Sequence, residues 1–180
     1  MDIKHGKVWT IGHSTRTIED FLNLLAAHDI KMLMDIRAFP GSRRYPHFNK
    51  DDLSATLAAH HIGYNHMPGL GGRRKPDTHS VNIAWRHPSF RGYADYMQTS
   101  EFMKHIQALE ALAAKHRAVY MCSEGPWWKC HRALVSDFLK VRGWEVLHIM
   151  DKGKLTEHPF TSPARPIQGG LFYDQAASDV

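Results

Sequence analysis

The sequence predicts an α/β domain: a mainly parallel sheet of about five strands with helices on both faces. Three observations lead there. Short β-prone runs alternate with segments whose apolar residues recur at helical spacing, and that order implies right-handed crossovers between parallel strands. The composition, 43% hydrophobic and 23% charged, is that of a folded chain and excludes a disordered or fibrous one. The length of 180 residues suits one domain with a true core, burying roughly 70% of the surface the unfolded chain exposes.

Lys7 to Gly12 reads as the first strand, and Thr17 to His28, with Ile18, Phe21, Leu22 and Leu25 on one face, as the helix after it. Lys31 to Arg37 is a second strand, ended by Asp35, Arg37 and then Pro40-Gly41. Asn49, with Asp52 three positions on, opens a helix through Leu53, Leu57 and Ala58 to about His60. Gly63 to His66 is the third strand. Ser100 caps a long helix that carries Phe102, Ile106, Leu109 and Leu112 on one face and ends near His116. Ala118 to Cys122 reads as a buried strand, Cys130 to Arg142 as a helix stopped by Gly143, and Trp144 to Met150 as the last strand.

Two stretches stand outside this alternation within the single domain of residues 1–180. One is a long basic loop at about 68–92, and the other an irregular tail after about 151, punctuated by Pro159, Pro163 and Pro166. No apolar run has the length a membrane helix needs, and Met1 to Gly6 lacks the apolar core of a secretory signal. A cytoplasmic location is therefore expected, with no membrane partner. Two cysteines, Cys122 and Cys130, are too few for a disulfide scaffold and fit a reducing compartment. The formal charge of +5 favours anionic partners.

In open parallel sheets ligands sit at the carboxyl ends of the strands. Those ends carry Gly12-His13-Ser14-Thr15-Arg16, then Asp35 to Arg44 with Arg37, Ser42 and Arg43, then Gly69 to Lys75 with Arg73, then Cys122 to Arg132. Arginines, histidines and glycine turns from four segments would meet at one edge. Guanidinium groups hold phosphate or carboxylate through paired donors, so that edge should attract anions. Phe39, Tyr45 and Phe48 around Arg43 and Arg44, and Trp85, Phe90 and Tyr93 around Arg86 and Arg91, would suit stacked bases or simply plug loops onto the core.

The segment from Cys122 to Arg132 has the most specific chemistry. Cys122 ends a strand and Cys130 begins a helix, where amide dipoles favour thiolate. His131 or Arg132 could depress a thiol pKa further, and Glu124 could act as acid or base. Seven residues separate the cysteines, outside the usual zinc spacing, so no metal is expected; a disulfide between them would be a redox switch. Glu124 and Pro126 make a poor phosphate cradle around Cys122, one by charge and the other by lacking an amide proton.

Ile11-Gly12-His13-Ser14, Asp35-Ile36-Arg37 with Pro40 and Ser42-Arg43, Leu70-Gly71-Gly72, Cys122-Ser123-Glu124, Cys130-His131-Arg132 and His148-Ile149 follow one another in the order of the domain-of-unknown-function 488 family, which the chain resembles from about Trp9 to the tail. The resemblance implies a compact α/β fold in cytoplasmic prokaryotic proteins, with Cys-x-Glu and Cys-His-Arg as its signature, and assigns no activity. Trp127-Trp128-Lys129 occupies a variable part of that loop.

The functional expectation is an enzyme acting on a phosphate-bearing substrate, a nucleotide or a nucleic acid, at the carboxyl edge of the sheet. Arg37, Ser42, Arg43, Arg73 and Arg132 would hold the anion. His13 and His131 would carry protons, and Glu124, Asp35, Cys122 and Cys130 would supply acidic or nucleophilic groups. A non-catalytic module for nucleic acid or an anion is the first alternative, and a cysteine-based redox or metal sensor the second. The sequence requires no cofactor and indicates no oligomeric state.

Overall fold

The computed structural model describes residues 5–175. Met1 to Lys4, part of the stretch read against a secretory signal, and residues 176–180 of the tail lie outside the described residues. In chain order the first half comprises β1 (Lys7–Gly12), α1 (Ile18–Ala27), β2 (Met32–Asp35), α2 (Lys50–Ala59), β3 (Gly63–His66) and α3 (Pro88–Tyr96). The second half comprises α4 (Ser100–Lys115), β4 (Ala118–Cys122), α5 (Arg132–Val141), β5 (Glu145–Ile149) and three short strands, β6 (Leu155–Glu157), β7 (Arg165–Ile167) and β8 (Gly170–Phe172).

The first six strands form one sheet in the order β3-β2-β4-β1-β5-β6, with β1 to β5 parallel and β6 antiparallel to β5. The α/β fold predicted from the alternation is thus the fold observed. Strand side chains alternate between two apolar layers, as the two-residue period of a strand requires. Trp9, Ile11, Leu33, Val119, Met121 and Leu147 pack on Phe21 and Leu25 of α1 and on Leu53 and Leu57 of α2. Val8, Met34, Ala118, Tyr120 and Val146 pack on Tyr93 of α3, Phe102 and Ile106 of α4, and Leu134 and Leu139 of α5. Each such side chain contributes roughly 1.5–3 kcal/mol by leaving water.

This layering places the functional edge. Leaving β1, the chain crosses one face through α1, whereas leaving β4 it crosses the other through α5, and β1 and β4 are neighbours. The loops after these two strands diverge to opposite faces, which opens the crevice typical of a topological switch point. Gly12 and Cys122 stand side by side there.

Local departures from the sequence reading have local causes. Thr99, not Ser100, caps α4, its Oγ1 accepting from the Phe102 amide at 3.2 Å. Asn49 holds the capping position of α2, but its Oδ1 accepts from the Ser42 amide at 2.6 Å instead. A 3-10 turn at Trp127–Lys129 delays α5 to Arg132, so Cys130 and His131 precede that helix. Gly143, at φ 94°, provides the left-handed residue that ends it. The segment at 68–92 is not loop throughout: Pro88 opens α3, and His87 Nδ1 accepts from the Ser89 amide. The tail after 151 contains β6 and the β7–β8 hairpin, short pieces without a buried alternating pattern. No helix among the described residues is long and apolar enough to cross a membrane.

Because the α4 cap sits one residue earlier than expected, Thr99→Ala should lower stability by about 1 kcal/mol. Ser100→Ala should leave the urea midpoint within the error of the wild type.

Candidate functional site

The site is built where the ends of β1, β2 and β4 meet. The His13 amide donates to the Cys122 carbonyl at 3.0 Å, the Ser14 amide to Ser123 at 3.0 Å, and the Ile36 amide to Met121 at 3.1 Å. Gly12 permits this closeness: a Cβ there would lie 1.6 Å from the Glu124 carbonyl oxygen. Gly72 does the same for His131, whose Nδ1 would be 3.0 Å from an added Cβ. Two glycines of the sequence motifs therefore act as contact surfaces for the cysteine loop.

The sulfurs of Cys122 and Cys130 lie 2.7 Å apart, both as free thiols in buried residues. His131 Nε2 faces the Ile36 carbonyl at 3.2 Å, so it bears the proton and leaves Nδ1 as an acceptor 3.3 Å from Cys130 Sγ. Burial, together with the Cys130 contact, drives the Cys122 pKa up. At Cys130 burial also opposes charge, but the Cys122 thiol and the Arg132 cation and amide outweigh it, and the pKa falls below the ordinary thiol value. Cys130 is thus the more acidic thiol of the pair and Cys122 the less acidic, with Cys122 Sγ facing the Glu124 carbonyl at 3.6 Å.

Arg132 organises the loop from below. It is 1% exposed, and its Nη2 donates to the carbonyls of Glu124 at 2.7 Å and Gly125 at 2.9 Å, while Nη1 donates to Thr10 Oγ1 at 3.1 Å. The carbonyls after Cys122 turn inward to the cation. An anion cradle needs the opposite polarity, with amides inward. Nε of Arg132 is buried without an acceptor.

Beside it lies a second knot. Arg37 donates to Asp35 through Nε at 2.9 Å and Nη2 at 2.7 Å, and Nη2 also reaches the Phe48 carbonyl at 2.8 Å. Tyr64 donates to the same carboxylate, and burial with that acidic partner pushes its phenol well above its usual pKa. His13 Nδ1 donates to the Ser14 carbonyl, which leaves Nε2 as acceptor for Arg37 Nη1 at 3.3 Å. Burial holds the His13 pKa down to about 4, aided by Arg37, although the Ser14 carbonyl works against this.

The structure therefore brings together His13, Asp35, Arg37, Cys122, Cys130, His131 and Arg132. It leaves other expected residues apart. The Glu124 residue is exposed, and only its carbonyl joins the network. Ser42 Oγ accepts from the amides of Arg44 and Tyr45 and shapes its own turn. Arg43 and Arg73 are exposed, with no hydrogen bond or ion pair among the described residues. Phe48 and Tyr93 are core, Phe39 is 78% exposed, and Trp127 stacks on His148 while Trp128 faces solvent. A cavity of about 340 Å³ beside Trp9 and Arg117 and one of about 230 Å³ beside Met97 and Phe138 lie away from the thiols. Among the described residues no cluster of three or more His, Cys, Asp or Glu side chains could hold a metal ion.

Sequence reasoning missed Thr10, Asp137 and His158, and it assigned His148 no role. Each is fully buried. Asp137 had a readable signal, a carboxylate between Leu134 and Leu139 on an otherwise apolar helix face.

An α/β domain with a buried Cys-His-Arg element at the switch point of its sheet is the class that fold and site define. The family model described as "Domain of unknown function DUF488" matches residues 17–139, and the chain belongs to that family. No curated protein and no solved structure matches it.

Two outcomes follow from the site's electrostatics. Asp35→Asn should destabilise the protein by about 3 kcal/mol in urea unfolding, because it strands the buried Arg37 cation, and adding Arg37→Met should recover part of that loss. His13, His131 and His148 all have lowered folded-state pKa values, burial being the first cause, with His13 near 4 and His148 near 2. The unfolded chain binds these protons near pH 6.5 while the folded chain does not, so stability is full above that pH and falls as pH drops toward the folded values. The slope should approach about 1.4 kcal/mol per pH unit for each group, read from denaturation midpoints between neutral pH and pH of about 4.

Proposed function

We propose that this protein is a thiol-based redox protein in which Cys122 and Cys130 cycle between dithiol and disulfide. The observation that carries the reading is the 2.7 Å separation of two free sulfurs whose pKa values are shifted in opposite directions, set beside an imidazole acceptor and a buried cation. The residual exposure of Cys130, 6%, suits a small hydroperoxide better than a protein disulfide.

Cys130 passes its proton to His131 Nδ1, and the thiolate attacks one oxygen of the hydroperoxide. The O–O bond breaks, Cys130 becomes a sulfenic acid, and the departing oxygen takes the proton from His131 to leave as water or an alcohol. Cys122 then attacks the Cys130 sulfur, and its own proton departs with the sulfenic hydroxyl as water. Two thiols and one hydroperoxide give one disulfide, one water and one water or alcohol. An external dithiol restores the pair by exchange and leaves as its own disulfide.

A phosphate-bearing substrate, the expectation from sequence, draws less support. Of the four arginines expected to hold it, Arg37 and Arg132 direct their donors mainly at protein acceptors, and Arg43 and Arg73 are the ones left uncommitted.

Treatment with hydrogen peroxide should remove both free thiols, lower the intact mass by two hydrogens, and be reversed by dithiothreitol. Cys122→Ser should stop at a sulfenic acid that dimedone traps on Cys130, and Cys130→Ser should leave Cys122 unreacted. Wild-type protein that keeps both thiols under excess peroxide would refute the reading.

A further inference from the structure

Beneath the thiol loop four buried polar side chains take no part in the chemistry above: Thr10 in β1, Asp137 in α5, His148 in β5 and His158 after β6. They form an unbranched hydrogen-bonded chain with Arg132. Arg132 Nη1 reaches Thr10 Oγ1 at 3.1 Å, Thr10 Oγ1 lies 2.6 Å from His148 Nδ1, His148 Nε2 lies 2.9 Å from His158 Nδ1, and His158 Nε2 lies 2.8 Å from Asp137 Oδ1.

The two ends fix the outer bonds. A guanidinium only donates and an ionised carboxylate only accepts. His158 therefore bears a proton on Nε2, and with one proton on each ring its Nδ1 accepts from His148 Nε2. His148 Nδ1 accepts the Thr10 hydroxyl proton, and the Thr10 oxygen accepts from Arg132. In that arrangement every bond points from the cation to the carboxylate. Such aligned bonds reinforce one another in a low-dielectric interior.

Both ends are locked. Asp137 also accepts the Thr161 amide at 2.9 Å, the Thr161 hydroxyl, and the Tyr173 hydroxyl at 2.8 Å. Trp127, from the loop between the cysteines, lies flat on His148 with ring centroids 4.6 Å apart and planes 2° apart, and it meets His158 edge-on. Arg132 makes no ion pair with a carboxylate among the described residues, and its Nε is buried without an acceptor. Its charge, amide and side chain act on Cys130, the next residue but one before it.

We propose that Thr10, His148, His158 and Asp137 are positioning residues, a relay that holds the Arg132 guanidinium in register with the Cys122 and Cys130 sulfurs. This deepens the dithiol reading and takes its purpose from it. With its Nη1 anchor removed, the guanidinium would turn about the Glu124 and Gly125 carbonyls and shift its charge relative to the sulfurs. The groups that face Cys130 are Cys122 from β4, His131 and Arg132 at the start of α5, and Tyr93 from α3, with Arg74 acting on His131.

Thr10 allows a clean test, because valine keeps its shape and β preference but lacks the hydroxyl, whereas serine keeps the hydroxyl. Iodoacetamide alkylation of the Cys130 peptide, followed by mass spectrometry across pH, reads the thiolate directly. Thr10→Val should raise the inflection by about one pH unit and slow alkylation at neutral pH about tenfold, and Thr10→Ser should restore the wild-type profile. A folded Thr10→Val protein with an unchanged profile would overturn the proposal. Should Thr10→Val not fold, long-range proton–nitrogen correlation spectra of the wild type decide: both histidines must be neutral with the proton on Nε2, and a proton on either Nδ1 would overturn the relay. A wild type that forms no disulfide, yet whose Cys130 inflection moves with Thr10→Val, would sink the redox reading and leave the relay standing.

Discussion

The carboxyl edge of this sheet depends on one buried charge, the guanidinium of Arg132. Taking such a cation out of water costs several kcal/mol unless its protons find acceptors and its charge finds a counterion. Here the acceptors are the Glu124 and Gly125 carbonyls and the Thr10 hydroxyl, drawn from the cysteine loop and from β1. That choice ties together three segments remote in sequence. It also requires Gly12, since any side chain there would occupy the space of the Glu124 carbonyl. Counter-charge comes from two directions: Asp137 at the end of the histidine chain, and the sulfur of Cys130 when it ionises.

The neighbouring Arg37 meets the same constraint differently. Its cation is neutralised by the adjoining Asp35 carboxylate, in a bidentate contact closed by Tyr64, Phe48 and His13. A bidentate pair of this kind is saturated locally and leaves little charge to act elsewhere. Two arginines at the same sheet edge thus have different electrostatic consequences. One is an internal staple, and the other keeps an unsatisfied donor and acts on the Cys130 thiol.

The sequence revealed the alternation of elements well, because each depends on a local period: Phe21 and Leu25 in α1, Phe102, Ile106 and Leu109 in α4, the apolar run of β4. It also revealed which strand ends would meet, since a parallel sheet places them at one edge. What it hid was long-range. Nothing near Arg37 in the chain shows that the Phe48 carbonyl completes its shell, and nothing near Arg132 shows that Thr10 does. The start of α5 was misplaced because Cys130 and His131 look helical until the 3-10 turn before them is seen. The helix α3 had readable marks, Pro88 followed by Phe90, Tyr93, Ala94 and Met97 at helical spacing, but surrounding glycines and arginines obscured them.

The surroundings of the two sulfurs explain why the thiols differ. Burial, with the Cys130 contact, favours a proton on Cys122, whose Sγ also faces the Glu124 carbonyl oxygen. Cys130 sits past the 3-10 turn, where the amide and side chain of Arg132 favour the anion. The Arg132 charge lowers both thiol pKa values, but at Cys122 burial and the Cys130 contact outweigh it, whereas at Cys130 the Cys122 contact and the Arg132 amide and side chain outweigh burial. In the redox reading that asymmetry sets the order of events. Cys130 meets the oxidant first, because it is the more acidic thiol and retains some exposure. Cys122, sealed and protonated, serves to resolve the intermediate, and its proton leaves with the sulfenic oxygen as water.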